Sequence, residues 1–313
     1  GGGKLVTCPE YVPALHPHLI PLMKSETSGN YICALNRVYD DVSAAGGIPP
    51  MPIVESAEDM PGMRLLALNS EHLMRRIACE ADDSGTKEGK DIVAMYNNGL
   101  GSGLVDEAFD SVYEHGSVEK LGYGLDKYIL LRVGPFPDLY ETMSCEHMGR
   151  NSEESALIAA ETANGKFTGF GSSFASYARL LNSLPNRNEE ARDAARVCLR
   201  LPLYTMGMTV EEFAEISRLA ELAGGGASVS EALKEVESMY EKIRKSEAEM
   251  DKSQSGKTDE QRALDEANYI LDSTALNGAR WEGIRGDLCG IYERAGKETM
   301  ATFVNPPVDL SFQ

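Results

Sequence analysis

The sequence lacks any long hydrophobic run. Its longest apolar stretches, such as YILLRV at residues 128–133, are much shorter than the ~20 residues that a membrane-spanning helix needs. We therefore expect a soluble protein, or at most one that rests on a membrane or on a membrane complex. No targeting peptide is visible, and the opening GGGKL is typical of a processed mature terminus or of an expression tag.

Positive charge is also scarce. The chain has 30 lysine and arginine residues against 49 aspartate and glutamate residues, which gives a formal net charge of −19. A chain this acidic repels phosphate backbones, so nucleic-acid binding would require a local basic patch. The best candidate patch alternates arginines with acids, namely Arg187, Arg192, Arg196 and Arg200 with Glu189, Glu190 and Asp193. Of three function classes, namely an interaction protein, a small-molecule enzyme and an RNA-associated protein, the last is therefore the least favoured.

Closely spaced cysteines are absent. The six cysteines lie far apart, without a CxxC pair, at Cys8, Cys33, Cys79, Cys145, Cys198 and Cys289. A disulfide framework would be unusual in a chain of this size, so a reducing compartment is favoured.

Signatures of metal or catalytic sites are missing as well. His16 and His18 flank Pro17 and could present two imidazoles, but no third ligand follows by spacing, so we expect an exposed polyproline turn. Cys145 and His147 diverge by about 200° on a helix, so we expect a core cysteine and a surface histidine. No catalytic residue, metal or cofactor is predicted.

The glycine-rich stretch NNGLGSG, residues 97–103, could suggest a phosphate-binding loop before a helix. No Lys-Ser or Lys-Thr follows it, and Gly99, Gly101 and Gly103 miss the spacing of a dinucleotide-binding loop. A flexible turn is the better interpretation.

Three regions follow from the patterning. Residues 1–62 read as irregular, because Pro13, Pro17 and Pro21 interrupt any helix and 43–62 is the strongest loop signal. Residues 63–135 are mixed, with a helix predicted over 63–81, while 91–97 and 127–133 fit either a strand or a helix. Residues 136–313 are predicted to be a helical-repeat domain.

Helix start and stop signals are regular in this last region. Start signals pair an N-cap oxygen with a residue three positions later, at Asn151 with Glu154, Thr209 with Glu212, Ser228 with Glu231, and Thr258 with Gln261. Stops occur at Gly165, Gly207, Gly224–Gly226 and Gly278. The charged helix over 231–252 is predicted first of all to be a solvated face, with a cation-bridging or partner-binding role as the alternative. Residues 245–260 are predicted to be the polar end of a long helix followed by a loop.

The helices also show an internal similarity. SEESALIAAETA (152–163) aligns with NEEARDAARVCL (188–199) at an offset of 36 residues, and both segments carry an alanine-rich face. We therefore predict a mainly α fold in which antiparallel helix pairs stack as a short tetratricopeptide-like repeat. An unrelated helical bundle is the alternative.

The stretch GYGLDKYILLRVGPFPDLYE, residues 122–141, combines glycines and prolines with an apolar segment. It is predicted first of all as a buried connector between the N-terminal region and the helical stack. If it binds a ligand or peptide, the candidate groove lies beside Tyr123, Arg132, Phe136 and Tyr140.

Several segments resemble a protein family of plant and algal plastids. They are LLRVGPFPDLYE, SALIAAE, FTGFGSSF, EARDAARVCLRLPLYTMG, ALDEANYILD and YERAGKETMATFV, within residues 105–304. The resemblance implies a nuclear-encoded protein of the chloroplast, in the stroma or at the stromal face of the thylakoid. It carries over no catalytic residue.

The leading hypothesis is a non-catalytic interaction protein, an accessory or assembly component of a large photosynthetic or plastid gene-expression complex, with other proteins as its partners. The competing hypothesis is a small-molecule enzyme whose site lies between residues 91–140 and the helical stack, lined by Gly99, Gly101, Gly103, Tyr123 and Arg132. Both remain open at the level of sequence.

Overall fold

The computed structural model describes residues 5–37, 51–101, 112–253 and 256–306; of residues 100, 101 and 251–253 it describes the backbone only. The chain divides into two compact units. The terminal unit holds the described residues of Gly1–Asp41, Val54–Arg64 and Thr168–Gln313, and the middle unit those of Val42–Ile53 and Leu65–Phe167.

Five short strands form one sheet in the order β1-β2-β3-β4-β5. They are β1 Leu5–Val6, β2 Leu19–Ser25, β3 Tyr31–Leu35, β4 Ile53–Ser56 and β5 Arg64–Ala67. The pairs β1/β2 and β2/β3 are antiparallel, and the register of the second pair places Leu19 opposite Leu35, with an irregularity between Pro21 and Met23. The prediction of an irregular N-terminal region is therefore wrong for these segments.

The described residues of the middle unit form six helices: α1 Ser70–Asp83, α2 Lys87–Gly101, α3 Ser117–Leu121, α4 Leu125–Arg132, α5 Pro137–Gly149 and α6 Glu153–Lys166. Consecutive helices pack as the pairs α1/α2 and α5/α6. The helix predicted over 63–81 begins only at Ser70, because Asn69 caps it by accepting a bond from the His72 N–H at 2.8 Å. The two ambiguous segments, 91–97 and 127–133, are mostly helical.

Seven further helices lie in the part of the terminal unit that the structure describes: α7 Gly171–Asn182, α8 Asn188–Cys198, α9 Val210–Leu219, α10 Val229–Ser253, α11 Asp259–Leu276, α12 Arg285–Arg294 and α13 Glu298–Val304. Two 3₁₀ helices, Leu203–Thr205 and Trp281–Ile284, lie between them. The prediction of a mainly α protein is confirmed. In the part of the chain that the structure describes, no helix combines the length and the apolarity needed to cross a membrane.

Three of the four predicted start signals are confirmed. Thr209 with Glu212 and Thr258 with Gln261 form complete capping boxes, and Ser228 and Glu231 exchange the same reciprocal bonds. Asn151 instead adopts a left-handed backbone with a φ of 55°. Its N–H donates to the carbonyl of Met148, so this asparagine ends the turn after α5 rather than capping α6.

The N-terminal segment is held to the C-terminal helices of the terminal unit by aromatic and polar contacts. The His16 ring lies 4.2 Å from Tyr204 and 4.6 Å from Trp281, centroid to centroid. His18 Nε2 is 2.7 Å from the Tyr292 hydroxyl. Both histidines are buried, at 1% and 3% exposure, so the prediction of an exposed turn is wrong. Burial lowers the pKa of His18 to about 3, with the charge of Arg285 adding to the effect.

The prediction for the CEH motif is also wrong. Cys145 is exposed, and His147 is half-buried on the same helix, α5. The buried neighbour is Ser144, whose hydroxyl donates to the carbonyl of Ala156 at 3.1 Å and so joins α5 to α6. All six cysteines are free.

Gly62 makes the closest backbone approach in the terminal unit. A Cβ at Gly62 would lie 1.8 Å from the carbonyl oxygen of Gly207. We expect Gly62→Ala to lower the free energy of unfolding by about 1–3 kcal/mol, because a backbone atom must move to admit the methyl group. Chemical denaturation measures this loss. Gly283→Ala is the matched control, since its Cβ would enter open space, and an equal loss in both variants would contradict the steric explanation.

Candidate binding sites

The four residues of the predicted groove do not form one surface in the middle unit. Phe136 is fully buried beneath the Arg76 guanidinium, which lies 4.8 Å from its ring centre. Tyr140 is half-buried and packs edge-on against Phe167 at 5.9 Å. Tyr123 and Arg132 are exposed. A role of these four side chains in binding stays a prediction.

The connector before α5 packs on α1 inside the middle unit. Arg76 on α1 holds both carboxylate oxygens of Asp138 on α5, at 2.7 and 2.6 Å. Gly134 sits so close to α1 that a Cβ there would lie 2.7 Å from the His72 ring. These contacts give the segment around Phe136 a structural role.

Tyr123 instead lines a small cleft of about 400 Å³ in the middle unit. Helices α4 and α5 supply the other walls, including Lys127, Met143, Glu146 and Arg150. Glu146 is already paired with Arg150 at 3.0 Å, so the cleft offers a small exposed binding surface with few convergent groups.

The glycine-rich stretch is a helix over its described part. Gly99 and Gly101 belong to the last turn of α2, so the predicted flexible turn is wrong for residues 97–101. Gly103 and the helix predicted after it, up to residue 111, lie outside the described residues. Residues 112–116 are not helical.

The larger cleft lies between α10 and α11 of the terminal unit and has a volume of about 880 Å³. One wall is a helical stripe on α10, formed at the i, i+3, i+4 and i+7 positions by Tyr240, Ile243, Arg244 and Glu247. Asp265, Tyr269 and Asp272, at i, i+4 and i+7 of α11, also line it. Its volume falls within the range that is typical of ligand-binding sites. We call it the α10/α11 cleft.

The acidic side chains of the α10/α11 cleft are already engaged. Lys257 pairs with both Glu247 and Asp265, at 3.3 and 2.6 Å. Glu266 accepts a bond from Arg294 at 2.8 Å. Asp272 accepts a bond from the N–H of Leu203 at 2.8 Å. These carboxylates are therefore poorly available to a cation from outside.

Several cations of the cleft, in contrast, have no anionic partner among the side chains that the structure describes. Arg200 follows α8, and Lys242 and Arg244 lie on α10. Among the described residues, no ion pair engages these three side chains. The Arg244 guanidinium lies 4.3 Å from the centre of the Tyr269 ring, which holds it at the cleft while leaving its N–H donors usable. Within the described part of the cleft, the charge that stays unpaired is thus positive.

Asp272 and Tyr240 both line the cleft, Asp272 as a buried and Tyr240 as a half-buried side chain. Burial raises the pKa of Asp272 to about 7, although the N–H of Leu203 opposes this by stabilising the carboxylate. Burial also raises the pKa of Tyr240, and the nearby charges of Asp272 and Cys198 add to it. The Tyr240 hydroxyl donates to the carbonyl of Leu199. Asp272 is therefore a weak acid, partly protonated at neutral pH.

Throughout residues 5–37, 51–101, 112–253 and 256–306, no three His, Cys, Asp or Glu side chains are placed to hold a metal ion. The α10/α11 cleft is not predicted by the sequence patterns, which favour a solvated face for the charged helix over 231–252. The stripe of Tyr240, Ile243 and Arg244 was the available signal.

Comparisons with known proteins cover nearly the whole chain. Three family models match in order: the PAB N-terminal region over residues 2–132, the PAB middle domain over 137–223 and the PAB C-terminal domain over 236–308. A protein of Arabidopsis thaliana called "Protein IN CHLOROPLAST ATPASE BIOGENESIS, chloroplastic" is 32% identical over 305 residues, which is 96% of this chain and 82% of that protein. No solved structure matches.

These matches confirm the resemblance to a plastid protein family. They also extend it. The resemblance was expected over residues 105–304, whereas the matches also cover the N-terminal third of the chain. The α10/α11 cleft falls mainly within the match to the PAB C-terminal domain.

Proposed function

The chain belongs to the PAB family, and from this premise we propose that it is a non-catalytic assembly factor of the chloroplast that acts in the biogenesis of an ATPase. The observation that carries this proposal is the 32% identity over 305 residues to a protein named for chloroplast ATPase biogenesis. That name favours the assembly of an ATPase over a role in plastid gene expression. The stroma, or the stromal face of the thylakoid, is the proposed location.

Proteins are the proposed partners, and the architecture supports this. Much of the chain is built of paired helices, each with one buried face and one face towards solvent. Binding surfaces of helical-repeat proteins are assembled in this way, from the exposed faces of successive helix pairs. The α10/α11 cleft adds a concave surface with unpaired cations to such a face.

We further propose that the pairs α7/α8 and α9/α10 stack in the manner of tetratricopeptide repeats. Helix α9 packs on both helices of the preceding pair. Arg179 of α7 pairs with Glu215 of α9 at 2.7 Å, and Arg196 of α8 donates to the carbonyl of Ala220 at 3.0 Å. Arg179 and Glu215 are 36 residues apart, which equals the offset between the two similar segments.

The proposal is tested in an Arabidopsis line that lacks the relative. Expression of this chain behind a chloroplast transit peptide is expected to restore the amount of chloroplast ATPase, measured by immunoblot and by ATP hydrolysis of isolated thylakoids. The same transit peptide on an unrelated helical protein is the control. Stable accumulation of the chain in the chloroplast without any recovery of ATPase would refute the proposed function.

A further inference from the structure

We propose that the α10/α11 cleft binds an acidic segment of a partner protein, with Arg200 and Arg244 receiving its carboxylates and Tyr240, Ile243 and Tyr269 its apolar side chains. This inference rests on the proposed function, because an assembly factor acts on other proteins. The charge of the cleft, its shape and the overall charge of the protein support it.

Charge complementarity identifies the bound group. The chain has a net charge of −19, whereas the described side chains of the cleft that lack an ion-pair partner are cationic. The lining acids are engaged by Lys257, Arg294 and the backbone of Leu203. Arg200 and Arg244 remain, among the described residues, as guanidinium groups that no carboxylate neutralises. Guanidinium groups bind carboxylates through paired N–H donors, so a carboxylate is the expected ligand group.

The shape of the cleft favours a polypeptide over a small anion. Its wall on α10 extends from Tyr240 to Met250, which corresponds to about 15 Å along a helix axis. An extended segment of about four or five residues covers this length. Tyr240, Ile243 and Tyr269 are half-buried, and the side chain of Met250 is 54% exposed. Such an apolar strip gives no advantage to a free phosphate, whereas it accommodates alternate side chains of a peptide.

The overall charge of the protein makes binding of an acidic ligand selective. A surface that is acidic elsewhere repels such a segment, so that attraction is confined to the places where cations stay unpaired. Partner binding at this cleft would therefore be weakened by salt and would depend on few residues.

The first test uses fluorescence anisotropy with the whole chain and a labelled twelve-residue peptide that alternates glutamate with leucine or tyrosine. We expect saturable binding, and at least about tenfold weaker binding when glutamine replaces the glutamates. The variant Arg200→Gln/Arg244→Gln should also lose about tenfold in affinity. Thermal denaturation of each variant shows whether it is folded.

The matched control is Lys234→Gln/Arg280→Gln. Like Arg200→Gln/Arg244→Gln, it removes two positive charges. The two substituted residues are exposed, belong to the terminal unit and do not line the cleft. We expect its peptide affinity to stay within about twofold of the unsubstituted chain. Equal losses in the two double variants, or no peptide binding at millimolar concentration, would overturn the inference.

Other occupants give different results. Saturable binding of inorganic pyrophosphate that depends on Arg200 and Arg244, without peptide binding, would identify a small-anion site. A chain dimer that dissociates only in the Arg200→Gln/Arg244→Gln variant would identify a second copy as the occupant. Either result overturns the proposal of a partner segment.

The Arabidopsis line separates this inference from the proposed function. If the unsubstituted chain restores the ATPase but Arg200→Gln/Arg244→Gln does not, while the control variant does, both are supported. If the unsubstituted chain and Arg200→Gln/Arg244→Gln restore it equally, the function stands and the inference fails. If the chain restores nothing, the function fails, and peptide binding alone decides whether the cleft is an acidic-segment site.

Discussion

Arg285→Met is expected to lower the free energy of unfolding by about 3–5 kcal/mol. Arg285 is 4% exposed, and its guanidinium donates to three backbone carbonyls. Its Nε and Nη2 bind the carbonyls of Pro13 and Leu15, at 3.0 and 2.7 Å, and its Nη1 binds that of Val304 at 2.8 Å. Methionine fills much of the space but removes the donor from two buried carbonyls, those of Leu15 and Val304, and from the part-buried carbonyl of Pro13. Urea denaturation followed by circular dichroism measures the loss.

Two comparisons make this prediction specific. Arg294→Met removes an exposed arginine from the same helix, which pairs with Glu266 at 2.8 Å, and we expect a change below about 1 kcal/mol. Arg285→Lys retains the charge but has no planar fork of donors. Its free energy of unfolding should therefore lie between those of the unsubstituted chain and Arg285→Met. If Arg285→Met matched Arg294→Met in stability, the three carbonyl contacts would not hold the N-terminal segment in place.

Helices of the C-terminal half could be predicted because their signals are local. A capping box needs only Thr209 and Glu212, or Thr258 and Gln261, and both pairs of side chains form the bonds that their spacing predicts. The alanine faces of α6 and α8 could be identified for the same reason, since Ala159 and Ala195 recur at helical spacing and are buried.

The N-terminal region could not be predicted from local patterns. Prolines at positions 13, 17 and 21 exclude a helix but say nothing about distant partners. His18 meets Tyr292 across 274 positions of sequence, and Trp281 donates to the carbonyl of Met60 across 221. Burial of both histidines thus follows from tertiary contacts, whereas an isolated HPH tripeptide favours an exposed turn.

The α10/α11 cleft was partly visible in the sequence. Tyr240, Ile243 and Arg244 are spaced so that they lie on one face of a charged helix. A helix that is solvated on all sides does not require such a face. The burial of Asp272 was not visible, since its partner is the backbone N–H of Leu203, 69 positions away. An aspartate next to Leu271 is indistinguishable by pattern from a solvated acid.

Asp272→Asn is expected to stabilise the protein at pH 8 and to leave its stability nearly unchanged near pH 4. The pKa of Asp272 is raised from 3.8 to about 7 in the folded state. Between these values the folded chain retains a proton that the unfolded chain has lost, so the free energy of unfolding falls as the pH rises and is constant above about pH 7. Since each pH unit is equivalent to about 1.4 kcal/mol, the ionised carboxylate destabilises the fold by about 4 kcal/mol.

The difference between the two proteins isolates this one group. His16 and His18, whose pKa values are lowered by burial, destabilise both proteins equally as the pH falls below about 6.5, so their contribution cancels in the difference. Asparagine can still accept the bond from Leu203 through its own Oδ1. Denaturation at pH 4.5, 6 and 8 should therefore show a steadily widening advantage of Asp272→Asn. A difference that is the same at all three pH values would mean that the carboxyl group titrates normally and is not desolvated.

The ionisation of Asp272 should also affect peptide binding, because Asp272 lines the α10/α11 cleft and its negative charge would lie beside the proposed acidic segment. Peptide affinity should therefore weaken between pH 6 and 8 in the unsubstituted chain but not in Asp272→Asn.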